Sequence, residues 1–229
     1  MTRWMELTFV ENGHSAPRRT AISSCIIAGW TGRDGAAVKK HIRELEEIGV
    51  KPPSRTPVYY QVSIERLTTA QDIQVLGGDT SGEVEFTLLS AHGALWVGVG
   101  SDHTDRVAEA YEVATSKQLC EKPIAPLFWR FDDVVDHWDR LELRSTIPAG
   151  DGVALYQECS VASMLSPADL IGRFSPDGKL PEGTIMFCGT SPAIGGIRPS
   201  PLFEIQLSDP LLQREIRHGY GCHIVPKAS

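Results

Sequence analysis

Apolar residues recur along this chain with two different periods, and the changes between them mark its elements. Val38, Ile42, Leu45 and Ile48 fall at helical spacing. The pattern predicts an amphipathic helix over residues 36–48, opened by Asp34 as N-cap and closed by Gly49. Most of the remainder is strand-like. Met5 to Val10 predicts a first strand, Arg18 to Ala28 contains a second, and short strands dominate from residue 56 onward. Lys51-Pro52-Pro53, Gly77-Gly78, Pro148-Ala149-Gly150 and Gly195-Gly196 punctuate them in the manner of a mainly β domain. Further helices are expected over 106–115 and 167–173. Periodicity therefore predicts an α+β class, mainly β, with a few short helices.

One strand carries charge where the others carry apolar groups. Side chains alternate across a strand, so Glu83, Glu85 and Thr87 share one face while Val84, Phe86 and Leu88 share the other. Two carboxylates held roughly 6 to 7 Å apart on one face repel unless solvated, and a divalent cation relieves that. The alternative is a half-exposed edge strand with two surface glutamates. The next strand, Ala94 to Gly100, follows a His92-Gly93 turn and runs into Ser101-Asp102-His103-Thr104-Asp105-Arg106. A hairpin would bring Asp102 beside the glutamates. Three oxygen ligands favour Mg²⁺ or Mn²⁺ over zinc, although His103 would shift the site toward a transition metal if it joined. Arg106 and Lys122 add cations for an anionic ligand.

The predicted helix carries His41 and Glu44, three residues apart and so neighbours on one face. A carboxylate that fixes an imidazole's tautomer and raises its basicity makes a general base able to activate water near neutral pH. A surface ion pair would give the same spacing.

In this order the motifs resemble the fumarylacetoacetate hydrolase family, specifically its C-terminal catalytic domain, from about Cys25 to Val225. Ile26-Ile27-Ala28-Gly29 leading to His41-Ile42-Arg43-Glu44 is similar to the family's strand, loop and His-x-x-Glu dyad. Glu83-Val84-Glu85 resembles its Glu-x-Glu ligands, and Ser101 to Arg106 resembles its Asn-Asp-Val-Ser-Ala-Arg stretch. Lys122 stands where the resemblance places an active-site lysine, before Pro123-Ile124-Ala125-Pro126. Tyr156-Gln157, Met164, Leu170-Ile171, a strand from Leu180 to Ile185, and Cys188-Gly189-Thr190-Ser191-Pro192 continue the match. Trp30-Thr31-Gly32-Arg33 replaces the family's Asn-Tyr, and Ser101 its Asn, which marks a divergent branch.

The resemblance implies a coiled mixed β-sheet or β-roll across residues 1–229 as one catalytic domain, with 1–20 as a short N-terminal strand extension. It also implies a homodimer. Glu83, Glu85 and Asp102 would hold the metal, while His41, Glu44 and Lys122 would be catalytic. Arg106, Gln157 and Thr190 would bind a small anionic substrate. The implied reaction is hydrolysis of a carbon-carbon bond in an acylpyruvate or diketo acid, with decarboxylation, keto-enol isomerisation or metal binding without catalysis as alternatives. A serine hydrolase is disfavoured because Gly189-Thr190-Ser191-Pro192-Ala193 lacks the last glycine of a nucleophile elbow.

Composition narrows the partners. A net charge of −7 without a basic cluster argues against nucleic acid and anionic membranes. No apolar run approaches the roughly 18 residues of a span. Five cysteines without a Cys-x-x-Cys pair suggest a reducing, cytoplasmic setting.

Overall fold

The computed structural model of the chain describes residues 1–47 and 52–228, without the side chains of His41, Glu44, Leu45 and Glu47. The expected helix end at Ile48 and Gly49 lies outside the described residues. The first strands are β1 (Arg3–Glu11), β2 (His14–Ile22), β3 (Ser24–Gly29), β4 (Val58–Val62), β5 (Leu67–Thr68) and β6 (Asp72–Leu76). There follow β7 (Thr80–Ser81), β8 (Val84–Ala91), β9 (Ala94–Ser101), β10 (Thr104–Asp105), β11 (Lys122–Pro123) and β12 (Leu127–Arg130). The last are β13 (Glu142–Ala149), β14 (Gly152–Ser160), β15 (Thr184–Phe187), β16 (Leu202–Asp209) and β17 (Arg214–Val225). The α-helices are α1 (Gly35–Glu47), α2 (Arg106–Tyr111), α3 (Val113–Leu119) and α4 (Pro167–Phe174).

Eight strands form one mixed sheet in the order β2-β1-β12-β9-β8-β15-β3-β4, and five form a second in the order β14-β13-β16-β17-β6. The glutamate-bearing strand β8 is therefore central, between β9 and β15, which excludes the edge-strand reading. Both of its faces are buried. Val84, Phe86 and Leu88 join a core shared with Leu143, Phe203, Ile205, Leu207 and Tyr220 of the five-stranded sheet. Leu89, on the opposite face, joins Phe9, Ile27, Trp96, Phe128 and Phe187, which all come from the large sheet itself. The sheet supplies that second cluster by curling around it. Burying each such side chain stabilises by about 1.5 to 3 kcal/mol. Pro17 lies on β2, which pairs only with β1, where its missing N–H is harmless.

The turn between β8 and β9 is at His92 and Gly93, with φ of 55° and 71°. Two successive left-handed residues match a twisted two-residue hairpin, and this sets the register that pairs Val84 with Ser101. At the start of α1, Asp34 Oδ1 accepts from the amides of Ala36 and Ala37, as the N-cap reading required.

Two boundaries differ from expectation. The helix expected over 106–115 is broken at Glu112, whose extended backbone (φ −160°, ψ 113°) ends α2 and whose carboxylate caps α3 at the Thr115 amide. The cap offsets the lost helical turn and rotates α3, so that Ser116 and Lys117 face inward. The strand expected from Leu180 begins only at Thr184, after a left-handed Gly183 whose N–H donates to Ser90 O.

Candidate metal centre

Three short pairings bring the charged residues together. Asp102 leaves the end of β9 with its N–H bonded to Glu83 O, and β10 then pairs with β7. Lys122 sits on β11, which pairs with β5. One oxygen each of Glu83, Glu85 and Asp102 lies within 4.8 Å of the others. Glu85 is 3 % exposed and Asp102 fully buried.

Each carboxylate has a different counterpart. Glu85 Oε2 accepts the Gly189 N–H at 2.6 Å. Glu83 Oε1 meets Arg106 Nη2 at 3.2 Å. Asp102 lies between two ammonium groups, with Oδ1 2.9 Å from Lys122 and Oδ2 2.5 Å from Lys117. Burial pushes the Glu85 carboxyl well above its ordinary range, and Asp102 and Glu83 add to the effect. Burial would raise Asp102 too, but Lys117 and Lys122 outweigh it and hold that carboxyl down to about 2. Lys117 stays ionised despite burial, because Asp102, Glu83 and Glu109 raise it. The two neighbouring carboxyls are thus pushed in opposite directions.

Arg106 and Lys122 were both expected at the substrate. The Arg106 guanidinium bonds Ser81 Oγ at 2.7 Å and Glu109 at 2.6 Å, while its buried Nη2 has no hydrogen-bond partner despite the contact with Glu83. Lys122 is fully buried and also donates to His103 O at 2.5 Å. His103 turns away from the carboxylates. Its Nδ1 meets Tyr220 Oη at 3.1 Å and its Nε2 meets Thr80 Oγ1 at 2.9 Å, so the mixed nitrogen site does not form. Burial, with Lys122 and Arg106 nearby, lowers its pKa to about 3 and leaves it neutral.

Gln157 and Thr190 are used inside the protein. Gln157 Oε1 accepts the Val84 N–H at 2.9 Å, and its Nε2 donates to Thr190 Oγ1 and Ser191 O at 2.7 and 2.6 Å. Thr190 in turn donates to Val84 O at 2.7 Å. Together they clamp the Glu83-Val84-Glu85 backbone to the loop that carries Gly189. The His41 and Glu44 side chains lie outside the described residues. Lys117 went unrecognised in the sequence because it falls in no quoted motif; its signal is the Glu112 break, which turns α3 inward.

Gly189 has φ +99°, and a Cβ there would lie 1.7 Å from Thr31 Oγ1. Gly189→Ala is expected to lower stability by about 2 to 3 kcal/mol, from left-handed strain plus overpacking, and to displace the amide from Glu85. Denaturant titration checks this; a loss under about 0.5 kcal/mol would show that the loop adapts.

A groove of about 580 Å³ opens elsewhere, lined by Arg66, Asp72, Glu121 and His223 among others, and contains none of the three carboxylates. Among the described residues no other group of His, Cys, Asp and Glu converges as these do. No described helix is long and apolar enough to cross a membrane.

No curated protein matches the chain in sequence. Solved structures match it in fold. A 2-keto-3-deoxyarabinonate dehydratase superposes with a TM-score of 0.65 at 17 % identity, covering 93 % of this chain and 78 % of that one. The same enzyme complexed with magnesium and 2,5-dioxopentanoate gives 0.62 at 16 % identity, covering 96 % and 79 %. The fumarylacetoacetate hydrolase of psychrophilic Exiguobacterium antarcticum gives 0.59 at 13 % identity, covering 98 % and 100 %. The curled mixed sheet is therefore the fumarylacetoacetate hydrolase fold. In sequence, a family model described as protein of unknown function DUF2848 matches residues 28–220, and the chain belongs to that family, a divergent branch on this fold.

Proposed function

We propose that the chain is a Mg²⁺- or Mn²⁺-dependent enzyme that breaks a carbon-carbon bond in a small 2-keto carboxylate of the acylpyruvate or diketo-acid type. The observation that carries this reading is the convergence of Glu83, Glu85 and Asp102 beside Lys117 and Arg106. The residues fit a hard cation. All three donors are oxygens, and one from each carboxylate lies within 4.8 Å of the others. When bound, the cation would supply Lewis-acid polarisation of a substrate carbonyl.

The chain's own groups do the rest. Arg106, whose Nη2 faces Glu83 at 3.2 Å, would receive a substrate carboxylate. His41, oriented by Glu44, would take a proton from water as it adds to the carbonyl carbon. The adjacent carbon-carbon bond then breaks, and its electron pair remains on the departing keto acid as an enolate, which accepts a proton at carbon. Lys117 is the ammonium nearest the three carboxylates and would give that proton, so its charge is worth most in the transition state.

A second reading shares these parts. His41 could instead remove a proton beside the carbonyl while the Lys117 ammonium gives one to a β-hydroxyl that departs as water, and a fold neighbour is a keto-acid dehydratase complexed with magnesium. Turnover on an acylpyruvate, oxaloacetate and a 3-deoxy-2-keto acid, each with and without Mg²⁺ or Mn²⁺, separates the readings. Activity on the first is expected, and Lys117→Met should lower kcat about 100-fold or more while Mn²⁺ still binds. Metal-loaded protein inert on all three substrates would overturn the proposal.

A further inference from the structure

Lys122 is a second buried ammonium on Asp102, and the reading above gives it no contact with substrate. It is fully enclosed, bonded to Asp102 Oδ1 at 2.9 Å and to the backbone oxygen of His103 at 2.5 Å. Lys117 already faces the other oxygen of the same carboxylate. One aspartate thus carries two cations, more than its own neutralisation requires.

The formal charges show the consequence. Among the described groups, with every carboxylate ionised as cation binding requires, Glu83, Glu85, Asp102 and Glu109 contribute four negative charges, and Arg106, Lys117 and Lys122 three positive ones, all joined by these contacts or by the convergence of the carboxylates. The formal balance is −4 + 3 = −1. A divalent cation changes it to +1, which is unfavourable in a buried site, and one carboxylate anion restores it to zero. Without Lys122 the balance starts at −2, and the cation alone neutralises it. The charge count of a site is a principal determinant of its cation affinity.

Resting on the metal-site reading, we propose that Lys122 is a positioning residue that makes cation binding conditional on an anionic co-ligand, so that the divalent ion and the keto carboxylate bind as a mutually dependent pair. Lys122 holds Asp102 by one oxygen, and the other faces Lys117 and would be shared with the cation. It weakens the site for the free ion while leaving its place for the ion-carboxylate pair.

Calorimetric titration of the full chain with Mn²⁺, with and without pyruvate, tests this. Pyruvate is a suitable probe because it binds Mn²⁺ only weakly in solution. Pyruvate is expected to tighten Mn²⁺ about tenfold or more, and by linkage Mn²⁺ should tighten pyruvate by the same factor. Lys122→Met should bind Mn²⁺ alone about tenfold more tightly and lose most of the coupling. That gain separates the proposal from a purely structural role, in which losing Lys122 weakens binding or leaves it unchanged. If Lys122→Met fails to fold, Lys122→Gln and the wild-type coupling still decide. Mn²⁺ bound equally with and without pyruvate would overturn the inference but leave the metal site standing. No Mn²⁺ binding under any condition would overturn both.

Discussion

Asp102→Ala is expected to cost about 3 to 5 kcal/mol of folding stability and to abolish divalent-cation binding together. The first effect comes from what is left behind. With Asp102 removed, Lys117 loses its 2.5 Å partner and Lys122 its 2.9 Å partner, and both ammonium groups remain buried. Breaking a buried pair by removing one member is strongly destabilising, because the other charge is no longer compensated. Against a total stability of about 5 to 15 kcal/mol, that is a large fraction. Asp102→Asn keeps the shape and removes the charge, so it should show most of the same loss. The pH dependence follows from the same contacts. With its carboxyl held at about 2, below the ordinary 3.8, Asp102 contributes stability that is present above the ordinary value and lost as pH falls through the folded one. Thermal melts of wild type and Asp102→Asn from pH 7 to pH 2 check it: the gap between them should narrow as pH falls. A constant gap would mean the ion pairs are not its source.

Glu85→Gln should act in the opposite direction on the metal-free fold. Burial, reinforced by Asp102 and Glu83, raises this carboxyl well above 4.5, so keeping it ionised costs stability. The cost is absent below the ordinary carboxyl range and grows as pH rises from there toward the raised folded value. An amide of the same size removes it, can still accept the Gly189 N–H, and lacks the negative charge a cation needs. At pH 7 the variant's Tm should exceed that of metal-free wild type by roughly a few degrees. Added Mg²⁺ or Mn²⁺, which should raise the wild-type Tm, should leave the variant unmoved. A variant less stable than metal-free wild type would show that Glu85 is ionised and well compensated in the fold.

The opposite signs at two neighbouring carboxylates bear on what the sequence could disclose. Strand alternation and the His92-Gly93 turn are local, so the approach of Asp102 to Glu83 and Glu85 could be read from residue spacing. The family's motif order carried the coiled sheet, which periodicity alone left as α+β. Burial is not local. The central position of β8 depends on its partner β15, about a hundred residues later, and the chain just after β15 brings the Gly189 amide onto Glu85. Lys117 was illegible because Glu112 reads equally well as helix interior, and only its extended backbone in the fold turns α3 inward. His103 was the alternative nitrogen ligand by adjacency to Asp102, and Tyr220, from the far end of the chain, claims its ring. Gln157 and Thr190 were expected at the substrate, and the fold engages their polar groups with Val84, Ser191 and each other.

The hairpin and its two short flanking helices have a consequence for how the protein acquires its structure. All the proposed ligands and their cations lie between residues 83 and 122, so the loops that join them are short. Gly189, which closes over Glu85, is 104 residues away in sequence. Loop-closure entropy grows with the length of chain enclosed, and non-local strand pairing is slow to form. The charged segment can therefore gather while still wet, when ions cost little to bring together, and the dry strand that raises their cost arrives after their partners are in place.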